Sequence, residues 1–156
     1  MRKLVIVNGP NNNMYGIRNK GQYGNQLYAD LIAELIEYGK TLGFEVEAFQ
    51  ANGEGEIIDY FQKIYFEAEA KGEKIPMVLN PGAFTHYSYA IMDALESVHT
   101  FVPAIEVHMS NIHGRDDFRH KSVTAAECIG QISGMGKTSY KMAMSAFKQI
   151  IEDGLL

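Results

Sequence analysis

The sequence predicts an α/β domain, in which helices cover both faces of a parallel β-sheet. Short apolar segments alternate along the chain with amphipathic segments of helical length, the pattern of consecutive βα units. The first apolar segment, Leu-Val-Ile-Val at residues 4–7, is rich in β-branched residues and has no polar position. This composition is typical of a strand buried on both faces, as in a sheet between two helical layers.

The elements can be placed in order along the chain. Strands are predicted at residues 4–7, 44–50, 76–79, 102–108 and, with a weaker pattern, 128–132. Helices are predicted at residues 26–42, 54–70, 88–98 and 139–151. The second strand alternates apolar with acidic residues, so we expect it nearer an edge of the sheet.

Apolar stripes predict which side of each helix faces the sheet. The first helix should end at Gly43 as C-cap. Its inward positions are Leu27, Leu31, Leu35 and Leu42. The inward positions of the second helix are Ile57, Ile58, Phe61, Ile64 and Tyr65. The inward positions of the last helix are Met142, Ala146, Phe147 and Ile150. Four further aromatic residues are expected at the surface, where they suggest subunit contacts: Tyr60, Phe66, Tyr87 and Tyr89.

Five strands joined by right-handed crossovers suit a three-layer flavodoxin-like fold, with a five-stranded parallel sheet in the order 2-1-3-4-5. In such a fold, ligands bind at the carboxyl ends of the strands, beside strands one and three. The length of 156 residues suits a single domain over residues 1–156, and the sequence has no internal repeat or low-complexity linker.

Composition narrows the class of protein. The chain is 46% hydrophobic and 21% charged, with a net charge of −5, which argues against a nucleic-acid partner. Local arginines still allow an anionic small molecule to bind. Cys128 is the only cysteine, so no intrachain disulfide can form, which fits a reducing cytoplasm, and we expect it to be a small core residue. The apolar segments are too short for a signal peptide or a membrane span, so no membrane partner is expected.

Polar residues follow three of the predicted strands. The first strand runs into Asn-Gly-Pro-Asn at residues 8–11, the third into Asn-Pro-Gly at 80–82, and the fourth ends in His108. Each segment alone is an ordinary turn signal. In a parallel sheet the three ends converge, and the loop after the first strand is long enough to be functional. Together these features indicate a ligand site at this edge.

Glu106 and His108 lie on the same face of the fourth strand, because strand residues two apart point the same way. A carboxylate at this position could fix the imidazole and favour its protonated form, as a general acid requires. On these two residues alone, a purely structural hydrogen bond explains the pattern equally well.

Arg18 and Tyr23 lie in the long loop after the first strand. A tyrosine ordinarily has a pKa of about 10, too high for a good base at neutral pH. A nearby guanidinium favours the phenolate, so the two residues could make a base that forms when the loop closes. A solvated loop pair is the simpler alternative.

Two further patterns do not predict sites. Residues 134–139 resemble the end of a phosphate-binding P-loop, but Gln131 stands where the first glycine is required, so we expect a turn. A zinc ligand set could be drawn from Glu106, His108, His113 and His120. These residues match neither a His-Glu-x-x-His helix nor a cysteine-containing zinc pattern, so no metal is expected.

The same segments resemble type II 3-dehydroquinate dehydratase over nearly the whole chain. The resemblance is carried by residues 8–11, by Arg18 with Tyr23, by residues 80–86, by residues 105–113 and by residues 118–120. It implies a flavodoxin-like subunit, trimers packed into a dodecamer, and reversible dehydration of 3-dehydroquinate to 3-dehydroshikimate in the shikimate pathway of aromatic amino acid biosynthesis. It also implies that neither a metal nor an organic cofactor takes part.

The resemblance assigns roles to individual residues. Tyr23 would be the base that yields an enolate, Arg18 its partner, His108 the proton donor, Glu106 the support of His108, and Asn11 the holder of a water. Asp93 would be donated by a neighbouring subunit. Substrate contacts would fall on Asn80, Gly82, His86, Asp93, Met109, Ser110 and Arg119.

The sequence departs from the family pattern at three places. Asn12 stands where leucine is usual, residues 19–21 replace a Glu-Pro start of the lid, and Gly53 stands where histidine is common. Losing a proline and gaining a glycine should loosen the lid.

The alternative to an enzyme is a flavodoxin-like module that binds a small anion or nucleotide without catalysis. A flavin carrier would be yellow when purified. A signalling receiver would need acidic residues at the end of the first strand, and residues 8–10 are not acidic.

Overall fold

A computed structural model describes residues 1–18 and 26–156 of the chain, and it confirms the three-layer fold. Five parallel strands form one sheet in the order β2-β1-β3-β4-β5. They are β1 (Arg2–Asn8), β2 (Phe44–Gln50), β3 (Met77–Asn80), β4 (Ala104–His108) and β5 (Gly130–Ser133). The helices are α1 (Tyr28–Thr41), α2 (Glu54–Lys71), α3 (Tyr89–Val98) and α4 (Thr138–Glu152). Among these helices none has the length and apolarity to cross a membrane.

Strand β1 divides its side chains between two hydrophobic cores. Val5 and Val7 pack with α2 and α3 on one face, while Leu4 and Ile6 pack with α1 and α4 on the other. All four are fully buried. The two-residue period of a strand therefore turns one apolar run into the contact surface of both helical layers.

The register of the sheet aligns the polar strand ends. Asn8 at the end of β1 pairs with Asn80 at the end of β3. Leu79 pairs with Glu106, so the acidic residue of β4 lies within the sheet and His108 lies at its carboxyl edge. The predicted convergence of polar residues at one edge is thus present.

Three exposure predictions were wrong, each for a local reason. Leu27 is 49% exposed because α1 begins at Tyr28, which leaves Leu27 outside the helix as its N-cap. Met142 is 40% exposed, since the buried stripe of α4 runs through Ala143, Met144 and Phe147 instead. Tyr60 is only 6% exposed, because its ring stacks on Phe49 at a centroid distance of 4.1 Å.

Other local predictions were confirmed. Phe66, Tyr87 and Tyr89 are exposed. Cys128 is partly buried against the core formed with α2 and α3. Strand β2 lies at an edge of the sheet.

The loops after β1 and β3 touch at Gly9. Its backbone N–H donates to the Asn80 carbonyl at 2.7 Å. A Cβ on Gly9 would stand 2.4 Å from the carbonyl oxygen of Pro81, which is closer than atoms can approach. Gly82, with φ of 61°, faces Pro10 from the other loop. These two glycines allow the loops to meet where the strands end.

Gly9→Ala is expected to lower the free energy of unfolding by about 1–3 kcal/mol, the usual cost of forcing a methyl group into packed structure. The control is Gly55→Ala in the first turn of α2, where a Cβ meets nothing within 4 Å and alanine favours the helix. Urea unfolding of both variants measures the difference. Equal stability of Gly9→Ala and the parent chain would contradict the close approach.

Candidate active site

A cavity of about 140 Å³ opens at the carboxyl edge of β1, β3 and β4. Most of the predicted site residues line it together: Asn11, Arg18, Asn80, Gly82, His86, His108, Met109, Ser110 and Arg119. Glu106 lies behind His108, and Asp93 lies exposed on α3 outside the lining. The prediction for Tyr23 lies outside the described residues.

The Glu106–His108 pair is present and buried. The Nε2 atom of His108 lies 3.0 Å from Oε2 of Glu106. His108 is 6% exposed and Glu106 is fully buried. His108 faces the cavity while Glu106 holds the ring from inside the sheet, so the imidazole has a fixed orientation toward any bound ligand.

Glu106 accepts three further hydrogen bonds. Gln131 Nε2 donates at 2.5 Å, Ser122 Oγ at 2.9 Å, and Thr124 Oγ1 also donates to the carboxylate. Burial alone would raise the pKa of Glu106. The hydrogen bond and charge of His108, with the bonds from Thr124 and Gln131, outweigh burial and hold that pKa below its ordinary value. The carboxylate is therefore ionised at neutral pH.

The sequence prediction missed these three partners of Glu106. Gln131 stands directly beside Glu106 in the β4–β5 pairing, so a polar residue on the last strand was a usable signal once the register was known. Ser122 and Thr124 come from an irregular segment between short 3₁₀ turns, where no periodicity points to Glu106. Their role depends on tertiary structure alone.

A second polar network includes Asn80 and Tyr140, which line the cavity, and Asn8. Asn80 Nδ2 donates to the Tyr140 hydroxyl at 2.9 Å, and that hydroxyl donates to Asn8 Oδ1 at 2.5 Å. The Gly82 N–H donates to Asn80 Oδ1 at 3.2 Å. Asn8, Asn80 and Tyr140 are all buried, so these bonds satisfy groups that water cannot reach. The predicted ligand contact Asn80 thus also holds the ends of β1 and β3 together.

Three arginines give the cavity a positive lining within an acidic chain. Arg18 and Arg119 were predicted, and Arg115 was not. The Arg115 guanidinium donates to Ser110 Oγ at 3.3 Å, and Arg119 Nε lies 3.3 Å from Asp116 Oδ2. Arg115 could have been suspected from its place in the polar run after β4. The cluster suits an anionic ligand such as a carboxylate.

His86 is oriented by the backbone. Its Nδ1 lies 2.7 Å from the carbonyl oxygen of Lys121. A carbonyl oxygen can only accept, so Nδ1 carries the proton and neutral His86 has an acceptor at Nε2. The Phe118 ring meets the imidazole edge to face at 5.7 Å. Because His86 lines the cavity, this acceptor suits a ligand hydroxyl.

Asn12, one of the departures from the expected pattern, also lines the cavity. Its Nδ2 donates to the Asn80 carbonyl at 3.2 Å. Gly53, the other departure among the described residues, is the N-cap of α2. Asn12 therefore ties the loop after β1 to the end of β3, while Gly53 has a purely local position.

Comparison with known proteins gives one consistent family. Residues 2–148 match the family model described as dehydroquinase class II. A 3-dehydroquinate dehydratase from Caldicellulosiruptor bescii is 52% identical over 152 residues, covering 97% of this chain and all of that protein.

Two solved structures agree. The type II dehydroquinase from Propionibacterium acnes has a TM-score of 0.87 at 38% identity, covering 96% of this chain and 97% of that one. The type II dehydroquinase from Butyrivibrio crossotus has a TM-score of 0.85 at 49% identity, covering 93% and 96%.

Glu106→Gln is expected to lower the free energy of unfolding at pH 7 by about 1.5–3 kcal/mol, the contribution typical of a hydrogen bond to a charged group. Since the folded-state pKa of Glu106 is depressed, the stabilisation is fully present above the unfolded value of about 4.3. It is lost as the pH falls through the folded-state pKa. Denaturant unfolding between pH 2 and pH 7 measures this dependence.

The matched control is Glu96→Gln, which replaces an exposed carboxylate on α3. It should leave both the stability at pH 7 and its acid dependence close to those of the parent chain. Identical pH profiles for Glu106→Gln and Glu96→Gln would contradict the ionised state assigned to Glu106.

Proposed function

The chain belongs to the class II dehydroquinase family, and we propose that it catalyses the reversible dehydration of 3-dehydroquinate to 3-dehydroshikimate. It is an enzyme of the dehydratase class, with about half its residues identical to those of named 3-dehydroquinate dehydratases over nearly its full length. The observation that carries the proposal is the buried Glu106–His108 pair facing a cavity lined with arginines.

The reaction begins with removal of a proton beside the substrate's ketone. The substrate is a β-hydroxy ketone, so this proton is acidic enough for a modest base. In our proposal Tyr23 is that base and acts as a phenolate, which the positive charge of Arg18 favours. The electron pair of the broken C–H bond forms a carbon–carbon double bond, and the carbonyl π electrons move onto the ketone oxygen, which gives an enolate. Asn11, at the cavity edge, holds a water that donates a hydrogen bond to the enolate oxygen.

Loss of the hydroxyl group completes the reaction. The enolate re-forms the ketone and expels the hydroxyl group two carbons away, while His108 supplies a proton so that water leaves. Glu106 supports this step because an ionised carboxylate 3.0 Å from Nε2 stabilises the imidazolium. The steps use side chains alone and call on neither a metal nor an organic cofactor.

The remaining lining residues hold the substrate in register. We assign the substrate carboxylate to the backbone N–H groups of Met109 and Ser110, near Arg115, which donates to Ser110. We assign the substrate's hydroxyl groups to Arg119 and to the acceptor nitrogen of His86. Asn80 and Gly82 form part of the cavity surface beneath the substrate. This placement puts the leaving hydroxyl next to His108, at the end of β4.

The active form in this proposal is an oligomer, a dodecamer built from trimers, in which Asp93 of one subunit completes a neighbour's site. Two features support it. Asp93 is exposed and lies outside the lining of its own subunit's cavity. Exposed aromatic rings, Tyr87 and Tyr89, lie just before and at the start of the same helix, where a neighbour would cover them. We further place the enzyme in the cytoplasm and in the shikimate pathway.

The deciding experiment adds 3-dehydroquinate to the purified chain and follows the ultraviolet absorbance of the conjugated enone product. A rise in absorbance that stops at an equilibrium supports the proposal. The same equilibrium should be reached when the reaction starts from 3-dehydroshikimate. An unchanged spectrum at high enzyme concentration would exclude it.

Tyr23→Phe and His108→Ala are each expected to reduce kcat at least about a hundredfold, since a general acid or base step typically contributes 10²–10⁴-fold. Tyr38→Phe and His99→Ala are matched controls, because Tyr38 bonds to Ser145 and His99 lies exposed at the end of α3, both away from the cavity. Initial rates with 3-dehydroquinate measure the effect. Near-normal turnover in either site variant would rule out the role given to that residue.

Asp93→Ala is expected to lose most of its activity, and the loss should be complemented between subunits. Mixed oligomers formed with His108→Ala chains should regain activity in up to about a quarter of their sites, where an intact His108 meets an intact neighbouring Asp93. Mixing Tyr23→Phe with His108→Ala is the control, since both residues serve the same subunit's site. If the two mixtures were equally inactive, Asp93 would not act across the interface. Sedimentation of the parent chain gives the assembly size.

A further inference from the structure

Tyr28 is the last member of the hydrogen-bonded network that contains Asn80, Tyr140 and Asn8. Asn8 uses its Oδ1 to accept from the Tyr140 hydroxyl at 2.5 Å. Its Nδ2 then donates to the Tyr28 hydroxyl at 3.3 Å. The chain of bonds therefore runs from Asn80 through Tyr140 and Asn8 to Tyr28, across the ends of β3 and β1.

The direction of every bond in this chain is determined. The Gly82 N–H can only donate, so Asn80 presents Oδ1 to it and turns Nδ2 toward Tyr140. The Tyr140 hydroxyl accepts that bond and gives its proton to Asn8. Asn8 is left with Nδ2 for Tyr28, so the Tyr28 oxygen is an acceptor here. Within residues 1–18 and 26–156 no acceptor takes the Tyr28 proton.

The position of Tyr28 directs that proton to a ligand. Tyr28 is the first residue of α1 and lines the cavity beside Asn12 and Leu31. Burial raises the pKa of its phenol above the ordinary value, and the bond from Asn8 only partly offsets this. The hydroxyl therefore keeps its proton at neutral pH and acts as a donor.

We propose that Tyr28 donates a hydrogen bond to the ketone oxygen of the bound substrate, and that Asn8 and Tyr140 position it for this. The inference rests on the proposed function. A hydroxyl whose acceptor site is already used favours an oxygen that only accepts. The ketone is that oxygen, because the substrate's hydroxyl groups also donate and its carboxylate is assigned to the loop after β4.

The layout of the sheet agrees with this assignment. The strands β1 and β4 are separated by β3, so their ends lie roughly 9–10 Å apart. A six-membered ring whose leaving hydroxyl faces His108 on β4 spans this gap and turns its opposite edge toward β1. Tyr28 and the water held by Asn11, both on the β1 side, then each donate a hydrogen bond to one lone pair of the ketone oxygen. The Tyr28 proton stays on Tyr28, and its bond strengthens as the oxygen becomes an enolate.

The test compares Tyr28→Phe with Tyr38→Phe, the same substitution on the same helix at a hydroxyl that bonds to Ser145 away from the cavity. We expect Tyr28→Phe to lose at least about tenfold in kcat, at the modest end of the loss seen when an enolate or oxyanion donor is removed. KM should change little, since the bond is stronger in the transition state than in the ground state. Tyr38→Phe should keep both constants. Thermal unfolding of the two variants shows whether either loss comes from the fold.

The outcomes separate this inference from the proposed function. A parent chain that leaves 3-dehydroquinate unchanged would overturn both. If the parent chain is active and Tyr28→Phe matches Tyr38→Phe in kcat, the function stands and the role of Tyr28 falls. A raised KM with unchanged kcat would show contact with a different substrate oxygen and would also overturn the ketone assignment.

Discussion

The ionised carboxylate of Glu106, fully buried within the sheet, is the constraint on which the candidate site depends. Taking a carboxylate out of water costs several kcal/mol unless hydrogen bonds compensate. Here His108, Ser122, Thr124 and Gln131 all donate to it. These partners come from β4, β5 and the segment between them, so satisfying one charge also fixes how that part of the chain packs. As a result, the imidazole of His108 has a fixed position before any substrate arrives.

The fold supplies the second requirement, a place where polar groups from distant parts of the chain meet. The parallel order brings the ends of β1, β3 and β4 to one edge, and two glycines let the loops there approach closely. Because the three arginines all belong to these loops, the cavity is locally positive although the chain carries a net charge of −5. Buried hydrogen bonds from the side chains of Asn8 and Asn80 to the Tyr140 hydroxyl then link β1, β3 and α4 at the cavity.

Periodicity and chain order were enough to predict the layers, the strand order and the Glu106–His108 pair. These features follow from local patterns: an apolar run means burial on both faces, and residues two apart on a strand share a face. Exposure was mispredicted where a helix boundary or the exact helical face mattered, as at Leu27 and Met142. The partners of Glu106 escaped prediction because Gln131 depends on strand register, while Ser122 and Thr124 lie in an irregular segment without periodicity. The Asn8–Tyr140–Asn80 network escaped prediction because its bonds join residues at least 60 positions apart in sequence. Asn12, noted in the sequence only as a departure, proved to bond to the end of β3. The role of Tyr23 stays a prediction.

The electrostatics of the other tyrosines explain why the proposed base must lie next to an arginine. Burial raises the pKa of Tyr28, and burial together with Glu47 raises that of Tyr60 much further. Neither phenol can take up a proton from substrate at neutral pH, because neither is ionised there. A phenolate needs a compensating cation, and the cavity lining contains three guanidinium groups. Tyr23 follows Arg18 by five residues, a length of chain that spans at most about 17 Å. The sequence thus tethers a tyrosine within reach of the one region of the described structure where arginines cluster around a cavity, while Tyr28 in the same cavity is held neutral as a donor. Under the proposed mechanism, two tyrosines at one site perform opposite tasks: Tyr23 accepts a proton beside an arginine, and Tyr28 retains its own.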